Sequence, residues 1–214
     1  MKDIEFPGKK LSFSDRMRGW FKWVLDPIGR FLNNLGLMPN TVTLLGLAGN
    51  TVGAILLAQG KMEWGGLVVL LITPIDALDG TMARLRGEPS DFGGFVDSVT
   101  DRYSELVIYG GLIYHFLSSG DGILGTLVFA AASGSVLVSY VKARAEALGF
   151  EAKIGVLTRM ERYLVLAPSL VFNRPQYGLW IIAIFANITA LQRIIHVRKQ
   201  AHARQIQSYG GKNA

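Results

Sequence analysis

Four aspartates carry the chemistry that stands out in this chain. Asp76 and Asp79 close one apolar run, and Asp97 and Asp101 open the next. Positions three and four apart on a helix share a face. Asp76, Asp79, Gly80 and Ala83 therefore make one stripe, and Gly93, Asp97 and Asp101 another. If the stripes face each other, four carboxylates converge, and they repel unless some protonate or a cation neutralises them. An all-oxygen donor set suits Mg²⁺, Ca²⁺ or Mn²⁺ rather than zinc. Four carboxylates can serve a pair of ions, a recurring device for displacement at phosphorus. Gly80 and Ala83 leave room for a flat or bulky ligand, and Arg84 is positioned to meet a phosphate. The acids could instead be residues of a soluble turn, or structural partners of Arg84, Arg86 and Arg102. Charges on helical stripes at the ends of apolar runs are costly, which favours a metal site.

The elements that must carry these stripes are membrane helices. Half of the 214 residues are hydrophobic and the mean hydropathy is +0.32. Apolar stretches of spanning length, roughly 20 residues, occur near 41–59, 64–83, 95–118, 122–141, 161–173 with its flanks, and 177–195. The expected fold is all-α, a polytopic membrane protein of about six transmembrane helices over residues 39–196. Residues 1–38 are expected to form a cytoplasmic tail and an amphipathic interfacial helix, and 197–214 a basic cytoplasmic tail. In the amphipathic segment Phe13, Met17, Trp20, Phe21, Val24, Ile28, Phe31 and Leu32 recur at helical spacing. Arg16, Arg18, Lys22 and Arg30 take the other positions, and a bend is expected at Asp26-Pro27. Pro39 and Asn40 mark the start of the first span, in which Gly46, Gly49, Gly53 and Ala54 permit close helix approach.

Charge sets the orientation. Of the 22 Lys and Arg residues, only Lys61 and Arg174 fall in the loops near 60–64, 118–121 and 173–177. The positive-inside rule then puts both termini and the aspartate stretch on the cytoplasmic side of the cell membrane. The net charge of +6 is thereby a matter of topology and calls for no nucleic-acid partner. The absence of cysteine excludes disulfides, thiolate metal sites and cysteine nucleophiles. No cleavable signal is expected, because the first residues are polar and basic without an apolar core.

A second cluster bears on a substrate. Lys142, Arg144 and Glu146 follow the fourth apolar run, then Gly155, Arg159 and Arg162 precede the fifth. Arginine recognises phosphate through a bidentate fork, so these cations suit a ligand that itself carries phosphate. Contact with anionic lipid headgroups is the competing use.

The spacing D-x-x-D-G-x-x-A-R-x8-G-x3-D-x3-D, at Asp76, Asp79, Gly80, Ala83, Arg84, Gly93, Asp97 and Asp101, resembles the signature of the CDP-alcohol phosphotransferases without a departure. The Pro39-Asn40-x-x-Thr43 segment and the overall plan of spans extend the resemblance. It implies transfer of a phosphatidyl-type group from a CDP-linked lipid, CDP-diacylglycerol, to an alcohol with release of CMP. It further implies two divalent ions, Mg²⁺ or Mn²⁺, on Asp76, Asp79, Asp97 and Asp101, with Asp101 also the base for the attacking hydroxyl. Asp79, Gly80, Ala83 and Arg84 would sit against the CDP portion, bordered by Asn40 and Thr43. Residues 139–146 with Arg159 and Arg162 look like the inositol-phosphate-using branch. By that resemblance the acceptor is myo-inositol 1-phosphate, held by Lys142, Arg144, Arg159 and Arg162, and the protein is a homodimer. Glycerol-3-phosphate is the nearest alternative acceptor. A divalent-cation transporter is the alternative of a different class, though a permeation path has no need of an adjoining arginine such as Arg84.

Overall fold

A computed structural model describes residues 25–87 and 90–210, with residues 76, 77 and 207–210 described by backbone alone. The described part of the N-terminal segment is helical over residues 25–34 (α1). The rest of the expected interfacial helix, from Ser12 to Val24, lies outside the described residues. Seven helices follow: α2 (Pro39–Ala58), α3 (Met62–Ile72), α4 (Asp76–Arg86), α5 (Asp91–Ser118), α6 (Gly122–Ala147), α7 (Arg159–Val171) and α8 (Pro175–Gly210). No strand occurs among the described residues.

α3 and α4 were expected as one continuous span. A 3-10 turn, Thr73–Ile75, separates them, because Pro74 brings no N–H to the α ladder and its ring crowds the preceding turn. The turn sits immediately before Asp76. Together they remain one crossing, Met62–Arg86.

Four segments are long and apolar enough to cross a bilayer: Pro39–Ala58, Met62–Arg86, Gly122–Ala147 and Pro175–Ile206. α5 has the length, but its first 15 residues carry Asp91, Asp97, Asp101, Arg102 and Glu105. α7 has 13 residues, roughly 20 Å at 1.5 Å per residue, against a hydrocarbon core of about 30 Å. The sixth span was expected to end near Ile195; α8 instead runs unbroken to Gly210, through the segment expected to be a tail.

Tight turns with left-handed glycines at Gly60 and Gly120, and with Asn173, reverse the chain at the end remote from the aspartates. The motif, the end of α6, the loop over residues 148–158 and the end of α8 therefore share the opposite end. α2 is the central strut, packed along α5, α3 and α4, while α7 wedges between α3 and α8 and α6 lies on α8. Leu57, Leu112, Val128, Leu170, Leu179 and Ile182 are fully buried between the helices. Leu44, Leu45, Val52 and Ile55 of α2 point outward and are more than half exposed, as lipid-facing residues are. At the α2–α5 crossing the backbones nearly touch: a Cβ on Gly111 would come within 2.3 Å of the Ala54 carbonyl oxygen. Small residues allow this approach where apolar burial from water offers no drive.

Candidate active site

α2 enters between the two acidic stripes, and α4 and α5 hardly touch directly. Between them lies an open cavity of about 390 Å³, a volume suited to a small ligand. Asn40 of α2, Asp79, Gly80, Ala83 and Arg84 of α4, and Gly93 and Asp97 of α5 all line it. At Gly80 an added Cβ would meet only the Arg84 guanidinium, 3.5 Å away, so this wall is shaped by having no side chain.

Each acid is held differently. Asp79 is buried and accepts a hydrogen bond of 2.5 Å from the Thr43 hydroxyl, and its other oxygen accepts from the Gly80 backbone N–H. Thr43 also reaches the Pro39 carbonyl at 3.2 Å, so the first turn of α2 fixes this carboxylate. Asp97 is half-buried on the cavity wall. Asp101, one turn deeper, is 6% exposed. Its Oδ2 forms an ion pair with Arg159 and lies 3.5 Å from Arg102 Nη2, and its Oδ1 is buried without a hydrogen-bond partner. Asp76 opens α4 one turn before Asp79; its side chain lies outside the described residues.

Locally the sequence explains these positions. Ser90 caps α5 by accepting from the Gly93 N–H at 3.0 Å. Gly87 ends α4 in the left-handed conformation after Arg86. α1 is latched beneath: Arg86 donates to Asn33 Oδ1 at 2.7 Å and to the Leu37 carbonyl at 2.6 Å, and Asn33 donates to the Met82 carbonyl at 3.2 Å. Ile28 and Phe31 of α1 point outward, as an interfacial helix would have them.

The fit to divalent ions rests on the donor set. Asp79, Asp97 and Asp101 offer only carboxylate oxygens and are close enough for their charges to repel, and the unpartnered Asp101 Oδ1 is an available donor. Among the described side chains no three acids are already drawn into a chelate. Hard, oxygen-liganded Mg²⁺ or Mn²⁺ matches these residues.

The basic cluster divides. Arg159, at the first position of α7, joins Asp101. Arg144 is exposed near the end of α6, and Lys142 lies 3.8 Å from Glu146 one turn on. Arg162 differs from the expectation of a phosphate-facing cation. It is 2% exposed and grips Glu105 with Nε at 2.9 Å and Nη2 at 3.2 Å, with Nη1 3.5 Å from the Leu157 carbonyl. A guanidinium enclosed on a carboxylate in this way is a buried ion pair within the helix packing. Glu105 and Asn50, which line a small cavity of about 40 Å³ together with Asp101 and Arg159, were not singled out in the sequence. Glu105 continues the Gly93, Asp97 and Asp101 stripe one turn further, a spacing that could have pointed to it, whereas Asn50 lies on another helix far away in the chain.

A family model for CDP-alcohol phosphatidyltransferases matches residues 36–198. The chain belongs to that family. A relative of the same family, phosphatidylinositol phosphate synthase of Streptomyces avermitilis, is 36% identical over 200 residues, covering 86% of this chain and 82% of the relative. The crystal structure of Mycobacterium tuberculosis phosphatidylinositol phosphate synthase with CDP-DAG bound is 32% identical, with a TM-score of 0.76, over 81% of this chain and 93% of that one. The same enzyme in complex with manganese and citrate gives a TM-score of 0.76 at 32% identity, over 81% and 88% of the two chains. Membership of this lipid-synthesising family, with the apolar helices, makes the chain a multi-pass membrane transferase. The manganese complex adds that divalent metal is at home in this fold.

Proposed function

We propose that this chain transfers the phosphatidyl group of CDP-diacylglycerol to the hydroxyl of myo-inositol 1-phosphate, giving phosphatidylinositol phosphate and CMP. The observation that carries the reading is the meeting of Asp101 with Arg159. A carboxylate able to take a proton and a guanidinium able to hold a phosphate stand at one point, as an alcohol bearing its own phosphate requires. The relatives named above support the same choice.

Asn40, Thr43, Asp79, Gly80, Ala83 and Arg84 hold the CDP end of the donor, Gly80 and Ala83 by leaving space and Arg84 by its charge. Two Mg²⁺ or Mn²⁺ ions held by Asp76, Asp79, Asp97 and Asp101 would supply charge neutralisation on the diphosphate. Arg159, with Arg144 and Lys142, holds the acceptor phosphate. Asp101 accepts the hydroxyl proton as the new oxygen–phosphorus bond forms in line and the bond to CMP breaks. The working unit is a homodimer in the cell membrane. The crowding of Lys and Arg at the motif end supports a site and termini facing the cytoplasm.

The test is CMP release by purified protein with CDP-diacylglycerol and Mg²⁺ or Mn²⁺, offered inositol 1-phosphate, glycerol-3-phosphate and unphosphorylated inositol in competition. Inositol 1-phosphate should dominate. Preference for glycerol-3-phosphate would overturn the acceptor, and metal uptake into vesicles without CMP release would overturn the reaction.

A further inference from the structure

Residues 150–158 join α6 to α7 without regular structure, yet they must deliver Arg159 to Asp101. Irregular backbone needs partners for its N–H and C=O groups, and here one face of α8 supplies them. Thr189 Oγ1 accepts from the Leu157 N–H at 3.0 Å. Arg193 is 4% exposed and donates to the Ile154 carbonyl at 2.8 Å and the Val138 carbonyl at 2.6 Å. Gln200 pairs with both backbone groups of Glu151, accepting from its N–H at 3.0 Å and donating to its carbonyl at 2.6 Å. Arg204 donates to the Gly149 carbonyl at 2.7 Å and the Leu148 carbonyl at 3.4 Å, with its guanidinium 4.3 Å from the centre of the Phe150 ring.

Residues 189, 193, 200 and 204 are spaced by four, seven and four, which puts them on one stripe of the helix. Their partners run in the opposite order, from 157 back to 148, so the loop lies antiparallel along α8. The stripe covers roughly 22 Å at 1.5 Å per residue, a distance that nine nearly extended residues can follow. Gly155 completes the contact: its φ is 139°, and a Cβ there would come within 2.2 Å of Thr189 Cγ2. The strap ends where Arg159 begins.

We propose that residues 189–204 of α8 are a positioning element for the acceptor site, in which Thr189, Arg193, Gln200 and Arg204 hold the 148–157 strap so that Arg159 stands over Asp101. The assignment of Arg159 to the acceptor phosphate rests on the proposed function; the strap itself does not. Gln200 and Arg204 are its outer fasteners, remote from the donor cavity. A defect confined to the acceptor therefore distinguishes positioning from general destabilisation.

The test uses full-length Gln200→Ala, Arg204→Ala and the double variant, with hydrogen exchange of residues 150–157 and steady-state kinetics for both substrates. Expected are faster exchange at the Glu151 and Leu157 amides and an acceptor KM raised roughly three- to tenfold per variant, the equivalent of one or two lost hydrogen bonds. Donor KM and the melting temperature should stay near wild type, and Arg204→Lys should restore part of the loss. Faster exchange with an unmoved acceptor KM overturns the proposal, as do equal rises in both KM values or unchanged exchange. A wild-type protein that uses no phosphorylated alcohol would refute the proposed function while leaving the exchange result to judge the strap.

Discussion

Replacing Arg162 by methionine decides between two roles for a cation that the family resemblance assigns to the acceptor phosphate. Nε and Nη2 of Arg162 reach the two oxygens of Glu105, and the arginine is 2% exposed. Removing one partner of such a pair leaves an uncompensated buried charge, which costs about 3–5 kcal/mol. For a chain of this size each kcal/mol moves Tm by about 2–4 °C, so Arg162→Met should melt about 6–20 °C below wild type. Replacing Glu105 by leucine in the same chain removes the stranded carboxylate and should recover most of that loss. Arg159→Ala is the comparator. Its side chain is 37% exposed where it meets Asp101, which keeps Arg102 at 3.5 Å, so Tm should fall less than for Arg162→Met while the acceptor KM rises at least about tenfold, as for loss of a charged hydrogen bond. Thermal unfolding in detergent, followed by size-exclusion recovery, and kinetics at low temperature separate the two. If Arg162→Met keeps the wild-type Tm and loses only acceptor affinity, the inward-facing assignment is refuted and Arg162 belongs with the phosphate ligands.

Thr43→Val removes the hydroxyl that fixes Asp79. With a hydrogen bond to a charged group worth about 1.5–3 kcal/mol, kcat/KM for the CDP-lipid should fall roughly 10- to 100-fold at little cost in Tm, and unaltered kinetics would remove Thr43 from the site. Gly111→Ala forces a methyl against the Ala54 carbonyl oxygen and should cost about 1–3 kcal/mol by overpacking, read as a lower Tm with KM values unchanged. Asp101→Asn should abolish turnover while CDP-lipid still binds in an equilibrium assay, and retained turnover would end its role as base. EDTA should stop CMP release, with recovery on adding Mg²⁺ or Mn²⁺, since only oxygen donors are present.

How legible the site was depended on how far apart in the chain its parts lie. The aspartates are separated by three, eighteen and four positions, so helical spacing alone groups them, and an interrupting run of charge in apolar sequence draws attention to them. Thr43 was visible only as a motif fragment; its bond to Asp79 crosses 36 positions and depends on α2 lying between α4 and α5. The pairing of Arg162 with Glu105 crosses 57 positions. Nothing in either local pattern separates an arginine that faces phosphate from one that faces a buried acid. The apolar stretches are helices as expected, four of them long and apolar enough to cross a bilayer, but the interruption before Asp76 and the length of α8 were not expected. Pro74 marks a break because of what it does to the hydrogen-bond ladder, while the continuation of α8 past Ile195 had no apolar signal to announce it. That continuation is polar, and a polar helix end looks like a tail until its partners are known. Here the partners are main-chain groups of residues 148–157, which have no side-chain signature at all. A stripe of Thr, Arg, Gln and Arg along the polar end of α8 thus follows a different logic from the apolar stripes of the spans: it is periodic because the backbone it holds runs beside it.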